Sequence, residues 1–594
     1  YSTMKKIKKI MGVMCKMIVY VILFGIGYYI YAMSLYKITM PFSPLWDDFY
    51  KDNDRMTYYV NSPLKDEYGE INITDKTADL QYFFDVLKSS CASLPYMEKQ
   101  YGFSASEMRN EYFSIIEKTS SDYEYIGTLI SMINNLPSGH IGTLDPNYDR
   151  YFEEYSLGYE HIDLYINLDG DCVRMCNSWD KLLTEKGKEY SADKSILINR
   201  QSADSFGYYI YENNEIVTSE IESVISYDGM SYDEFTLKNL TSQKPEFDRN
   251  DNKLIKRQHN LYFEPSETSR PVAVRILMKD GTEQETTMYN DYCRDVAIHH
   301  YRNSKEYLSE SNAHDTVNPY MLIYSYDDKE NNTGYISVNH FHMSYDGLWS
   351  EAVDNISSEN LILDLRNCAG GQEGFFTDYM YPVLSGEDLT VMLTSYVPIT
   401  EENCKVNFYT RKLDILRAKL FAKELHEPFM ESEYKFFRQT QRMELAGGET
   451  KFKKIYILTG DGTFSCGDRL TYAMKNLDNV TVIGSNTAGD GIGTGSLCSS
   501  LVFREYMSAQ IMPESKLIFS YTPQISLNEK GEINEIFGTP PDIYAENDDE
   551  SVKIFSEIAE ETGDPYSPYS YESRRKWDKV MNTAVSLITG DELS

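Results

Sequence analysis

Four segments hold residue types that could do acyl-transfer chemistry. In KIYILTGDGTFSCGD a buried-strand pattern ends, a glycine-containing turn follows, and Ser465 falls where a helical pattern begins. That placement lifts a hydroxyl out of the backbone at a helix N-terminus, whose partial positive charge favours developing negative charge. Serine at such a turn is also an ordinary helix cap. In NLILDLRNCAGG a strand pattern ends in Gly370 and Gly371. Backbone N–H groups there could face a substrate carbonyl without side-chain obstruction, although a plain turn has the same composition. In LPSGHIG, His140 follows a glycine and a long helical run. In EINEIFGTPPDI, Glu535 precedes a Gly-x-Pro-Pro-Asp turn. Each segment alone is weak.

Taken together and in order, they resemble the C-terminal processing and tricorn-type serine peptidases. GTFSCGD followed by VTVIGSNTAGDG is similar to that family's nucleophile region, matched at Thr463, Ser465, Asp468, Gly484, Thr487 and Gly489. DLRNCAGG is similar to its Asp-Leu-Arg-x-Asn-x-Gly-Gly, matched at Asp364, Leu365, Arg366, Gly370 and Gly371, with Cys368 replacing asparagine. EIFGTPPD is similar to its Glu-x-x-Gly-Val-x-Pro-Asp, matched at Glu535, Gly538, Pro541 and Asp542, with Thr539 replacing valine. SGHIG resembles its Asp-Gly-His segment, with Ser138 in place of aspartate.

One branch of the family uses a serine–lysine dyad, with lysine in a Thr-x-Gly-Lys-Gly stretch. Here that position holds Asp490, and an acid cannot replace a neutral amine as base. The tricorn-type branch uses serine, histidine and glutamate. The resemblance therefore implies Ser465 as nucleophile, His140 as its base and Glu535 as the group that orients the imidazole, directly or through a bridging hydroxyl. It also implies an oxyanion hole from the backbone N–H groups of Gly370 or Gly371 and of Cys466, and no metal or organic cofactor. Two other functions fit the same residues. One is an inactive ligand-binding relative, as in the interphotoreceptor retinoid-binding protein. The other is an acidic scaffold that only binds peptides.

The elements that must position these residues form three blocks. Residues 76–150 begin with apolar residues three and four apart, as amphipathic helices require, with Asp75 and Ser104 as plausible caps. Residues 155–295 alternate β-rich runs (HIDLYINL, SILINR, YYIYEN, PVAVRILM) with turns at Asp228-Gly229 and Asp280-Gly281. Their order resembles a PDZ domain, which would present a substrate C-terminus by strand addition. Residues 296–594 alternate strands and helices, an α/β pattern, with a charged helical excursion at 411–445 and a terminal helix in SRRKWDKVMNTAVSLI. The resemblance implies a crotonase-like architecture for this last block.

The N-terminus predicts the compartment. Met17–Tyr36 holds 20 uncharged residues after five lysines. That length spans a bilayer core of about 30 Å, and the lysines place the N-terminus inside. Residues 1–40 are thus expected to be a cytoplasmic stub and single-pass anchor, with a signal peptide cleaved near Ala32-Met33-Ser34 as the alternative, 41–75 a linker, and the remainder extracytoplasmic. A net charge of −35 argues against nucleic-acid partners, and the resemblance implies peptide or protein substrates. Of nine cysteines only Cys172 and Cys176 lie close together, which is neither a disulfide framework nor a zinc site.

Overall fold

The computed structural model describes residues 67–144, 170–304, 322–398, 435–492 and 508–590, apart from short gaps at 201–205, 214, 218, 249–252, 523 and 564–565, and isolated residues elsewhere. The expected anchor Met17–Tyr36 lies outside the described residues, of which Tyr20 is the sole member in that span. Among the described residues no helix is long and apolar enough to cross a membrane.

The helical periodicity of residues 76–136 folds as α1 (Ala78–Ser90), α2 (Leu94–Tyr101), α3 (Ala105–Ile116) and α4 (Asp122–Asn134). Ser104 and Ser121 cap α3 and α4, each hydroxyl accepting the N–H three residues on. The expected linker ends by docking, because Thr74 and Asp75 donate backbone N–H groups to Glu514. A short strand, β1 (Gly142–Leu144), follows α4.

The expected β-rich block opens instead with a 21-residue helix, α5 (Gly170–Tyr190); the HIDLYINL run before it lies outside the described residues. The sheet follows as β2 (Ser195–Arg200), β3 (Phe206–Glu212), β4 (Glu215–Val217), β5 (Ile221–Tyr227), β6 (Gln258–Tyr262), β7 (Arg270–Met278) and β8 (Glu283–Asn290). Its seven antiparallel strands run in the order β4-β3-β2-β6-β8-β7-β5. Helix α6 (Tyr232–Lys238) starts after the Asp228-Gly229 turn with a Ser231/Glu234 capping box. Helix α7 (Tyr292–Arg302) then packs on α5 and α4. Trp179 and Leu183 of α5 and Cys293 and Val296 of α7 share one core with Leu80, Leu129 and Ile133. The chain therefore leaves the helical core, builds the sheet and returns. This is a different partition from a boundary near residue 155, because α5 and α7 bury their apolar faces with α1–α4.

The α/β part is a six-stranded sheet. Its members are β9 (Ile323–Asp328), β10 (Thr333–Val338), β11 (Asn360–Asp364), β14 (Lys454–Thr459), β15 (Val480–Gly484) and β18 (Ile543–Tyr544), in that spatial order. All neighbours are parallel except β9 and β10. The run NLILD is apolar throughout because both faces are covered. Leu361 and Leu363 face one core with α8 (Asp346–Asp354) and α9 (Cys466–Met474), while Ile362 faces another with the C-terminal helix. Between β11 and β14, β12 (Leu389–Pro398) and β13 (Lys435–Leu445) form a long antiparallel ribbon. The expected helical excursion at 411–445 is thus wrong for 435–445, where Met443 and Leu445 bury at strand spacing. After β15 come β16 (Ser508–Ile511) and β17 (Ile518–Tyr521), a hairpin that joins β1 in a separate three-stranded sheet. Helix α10 (Asn534–Phe537) carries Glu535, and the terminal helix is divided into α11 (Tyr571–Trp577) and α12 (Lys579–Thr589).

The division has a physical reason. Asp578 has an extended backbone and caps α12 by accepting the Met581 N–H at 3.1 Å. Its carboxylate also takes Arg366 at 2.6 and 2.8 Å and Arg574 at 2.9 Å. Arg366 in turn bonds Asp364, which accepts the Tyr335 hydroxyl at 2.7 Å. Burial alone would raise the Asp364 carboxyl, but the Arg366 guanidinium holds it well below the usual carboxylate range. Asp578 is lowered for the same reason. Folded-state values below the unfolded ones mean stability that is present at neutral pH and lost as pH falls below about 3.8. Arg366→Met leaves the two buried carboxylates with Arg574 alone, 2.9 Å from Asp578 and 3.8 Å from Asp364. Urea unfolding at pH 7 is expected to show a loss of about 3–5 kcal/mol. A change below about 1 kcal/mol would mean that the cluster is solvated.

Candidate active site

Ser465 sits between β14 and α9 with φ 51° and ψ −117°, a conformation that non-glycine residues avoid. The turn is held on every side. Phe464 N–H donates to the Cys368 carbonyl at 2.9 Å, Ser465 N–H donates to the Gly489 carbonyl at 2.9 Å, and Arg469 N–H donates back to the Ser465 carbonyl at 3.0 Å. Thr463 is buried, and its hydroxyl donates to the Leu365 carbonyl at 2.7 Å. Asp468, in the first turn of α9, accepts from the Thr487 hydroxyl at 2.5 Å and the Gly491 N–H at 3.0 Å. The motif residues Thr463, Asp468 and Thr487 thus brace the turn, and the Ser465 side chain remains half-buried.

The glycine pair after β11 lies against this turn. Gly370 has φ 91°, and a Cβ there would meet Ser465 Cβ, Cys466 N and Phe464 O at 2.8 Å each. Gly371, with φ 122°, adjoins the His340 ring and pairs with Phe341. The Cys466 N–H belongs to the first turn of α9, where the helix itself supplies no acceptor. These are the positions expected for oxyanion donors.

His140 reaches the same place from far away in sequence. It lies between α4 and β1, and β1 pairs residue by residue with β17. The Ser520 hydroxyl donates to the His140 carbonyl at 2.9 Å. The β16–β17 hairpin is clamped in turn. Buried Asp79 of α1 accepts N–H groups from Glu514 and Ser515 at 2.7 and 2.8 Å, and the Trp179 indole of α5 donates to the Ser515 carbonyl at 2.7 Å. Lys244, from the loop after α6, donates to the carbonyls of Ser138 (2.7 Å) and Ile141, on either side of His140. The imidazole, 9% exposed, lies 4.8 Å from the ring of Phe464, the residue before Ser465.

Two buried carboxylates stand behind it. Asp490 Oδ1 is 3.3 Å from His140 Nδ1. Glu535 accepts from the Ser526 N–H at 2.9 and 3.0 Å and from its hydroxyl at 2.9 Å. Gly489 (φ 84°) lets the two carboxylates approach, since a Cβ there would lie 1.9 Å from the Asn534 carbonyl. Burial first, and the Asp490 charge second, raise the Glu535 carboxyl well above the usual range.

The structure thus gathers Ser465, His140, Glu535, Gly370, Gly371 and Cys466. It also shows residues that sequence reading passed over. Asp490 was noted only as a missing lysine, yet its buried carboxylate lies 3.3 Å from the imidazole. Lys244 carried no signal beyond an isolated charge, and burial pulls it down to about 8. His340, which burial lowers to about 4, lies beside Gly371 as a neutral ring. Cys466 and Cys368 are pushed up by burial to about 11 and 12, so neither thiol competes with the serine at neutral pH.

Strained serine, glycine pair, histidine and buried acids thus converge at the ends of the parallel strands, an arrangement suited to acyl transfer. Residues 332–544 match the model of Peptidase family S41, and this part of the chain is similar to serine-type peptidases of the C-terminal processing and tricorn-type group. No curated protein matches the chain. Among solved structures, mature CPAF is 13% identical with TM-score 0.46, over 87% of this chain and 98% of that one. A putative peptidase from Parabacteroides merdae is 10% identical with TM-score 0.36, over 87% and 97%. The photosystem II D1 C-terminal processing protease is 12% identical with TM-score 0.30, over 80% and 94%.

Gly102 also has positive φ, at 67°, but a Cβ there meets nothing within 4 Å. Gly102→Ala is expected to cost about 1–2 kcal/mol of backbone strain and leave hydrolysis intact. Gly370→Ala adds a collision with the nucleophile turn and is expected to lower kcat by roughly 10²–10³ as the oxyanion donors move. Parallel thermal melts and peptide assays check this, and equal activity in the two variants would contradict it.

Proposed function

We propose that this chain is a membrane-anchored, extracytoplasmic endopeptidase working through Ser465, His140 and Glu535. The observation that carries the reading is the strained Ser465 turn, packed against Gly370 and, through Phe464, against His140. His140 takes the Ser465 proton as Oγ bonds to the scissile carbonyl carbon. The oxyanion is met by backbone N–H groups of Gly370 or Gly371 and of Cys466. The C–N bond then breaks, the proton passes from His140 to the leaving amine, and water hydrolyses the acyl-enzyme by the same route. Glu535 supports the imidazole directly or through a bridging group. The α/β part is read as crotonase-like. The antiparallel sheet with α6 is read as PDZ-like, offering a substrate C-terminus an edge for strand addition. The uncharged span Met17–Tyr36 after a lysine cluster supports the anchor and the outward orientation.

The full-length chain in detergent is expected to hydrolyse a fluorogenic peptide library. Ser465→Ala and His140→Ala should each lower kcat by roughly 10³ or more, with melting temperatures preserved. Activity should fall on acidification, because only neutral imidazole accepts a proton. Hydrolysis by the wild type that survives Ser465→Ala would refute the assignment.

A further inference from the structure

We infer that Asp490, rather than Glu535, is the carboxylate that orients His140, and that Glu535 is a positioning residue acting through Asp490. This rests on the reading of His140 as the base.

The geometry is direct. Asp490 Oδ1 lies 3.3 Å from His140 Nδ1, with the two side chains 2% and 9% exposed. The second oxygen, Oδ2, lies 2.9 Å from where a Cβ on Gly139 would be, so the carboxylate faces the histidine loop on both atoms. Asp490 has φ 62°, an unusual conformation for a buried aspartate. It is imposed by the chain on either side. Gly489 packs on the Asn534 carbonyl and its own carbonyl accepts the Ser465 N–H, while the Gly491 N–H is held by Asp468. The loop that fixes the nucleophile's backbone therefore also fixes the acid beside the base.

Glu535 is placed differently. Its oxygens are engaged by the Ser526 N–H and hydroxyl, on the chain segment entering α10. Burial first, and the Asp490 charge second, raise the Glu535 carboxyl and favour its protonated form. Asp490 is the carboxylate next to the imidazole, and it also interacts with the Lys244 side chain. Cys91 of the helical core also faces Asp490, but burial keeps that thiol protonated. At 3.3 Å, Asp490 Oδ1 is the acceptor that would take an Nδ1–H of His140 as the imidazole becomes charged, which leaves Nε2 for the Ser465 hydroxyl. It also gives the aspartate at the former lysine position a use.

The test compares Asp490→Asn with Glu535→Gln in the full-length protein. Peptide hydrolysis is expected to lose roughly 10²–10⁴ in kcat for Asp490→Asn with KM little changed, because the amide permits the wrong tautomer. Glu535→Gln replaces a neutral donor by another and is expected to lose on the order of tenfold. Nitrogen-15 spectra of the labelled imidazole give a readout independent of turnover. His140 should show a protonated Nδ1 in the wild type and in Glu535→Gln, and a mixed or reversed tautomer in Asp490→Asn. A larger kcat loss for Glu535→Gln, or a tautomer change on losing Glu535 but not Asp490, overturns the inference. If Asp490→Asn does not fold, the wild-type and Glu535→Gln spectra still decide it: an unchanged Nδ1–H supports Asp490, and its loss assigns the role to Glu535. A wild type without peptidase activity would remove the base reading, while the tautomer comparison would still report which acid orients the ring.

Discussion

The backbone of Ser465 is the constraint on which the rest depends. A serine at φ 51° and ψ −117° is not a resting conformation, and it persists because three distant segments over-determine it. The end of β11 supplies Cys368 and Gly370, the loop after β15 supplies Gly489, and α9 closes from behind through Arg469. Two of those contacts tolerate no Cβ. The same strand ends are the natural place for a site in a parallel sheet, since loops gather there while the strands below are buried on both faces. Chemistry and architecture are thus tied at one turn: the interactions that strain the serine also bring it to the glycine pair.

The histidine arrives by a longer mechanical chain. It stands on a loop with no sheet of its own, so its position is borrowed. β1 pairs with β17, the β16–β17 hairpin is pinned by Asp79 of α1 and Trp179 of α5, and Lys244 grips the carbonyls flanking the histidine. Each pinning group is a buried polar atom fully engaged by backbone, the circumstance in which such bonds are strong and their loss costly. The helical core and the antiparallel sheet therefore both bear on the base, although neither contains the nucleophile.

What could be read from sequence follows from the range of the interactions involved. The strands around NLILD and KIYILT were legible because a doubly covered parallel strand is apolar throughout, and the cap at Ser104 because it is local. Ser465, Gly370 and Glu535 were legible through short motifs. Helix α5 was not, because its partners in α4 and α7 lie outside any local window, and its exposed side is crowded with charges such as Lys181 and Glu185. The strand at 435–445 was misread as helical because its charges mask an alternation that only pairing with β12 makes plain. Asp490 was recognised as a departure and given no task. Its significance lies in a 3.3 Å approach to a histidine 350 residues away, which no spacing rule contains.

The account stands or falls on whether the strained serine is the nucleophile. Treating the full-length chain with a fluorophosphonate and mapping the adduct by peptide mass spectrometry tests this most directly. Stoichiometric modification at Ser465, abolished when His140 is replaced by alanine, is the predicted result. A folded, peptide-hydrolysing protein that carries the adduct on another residue, or that shows none, would contradict it.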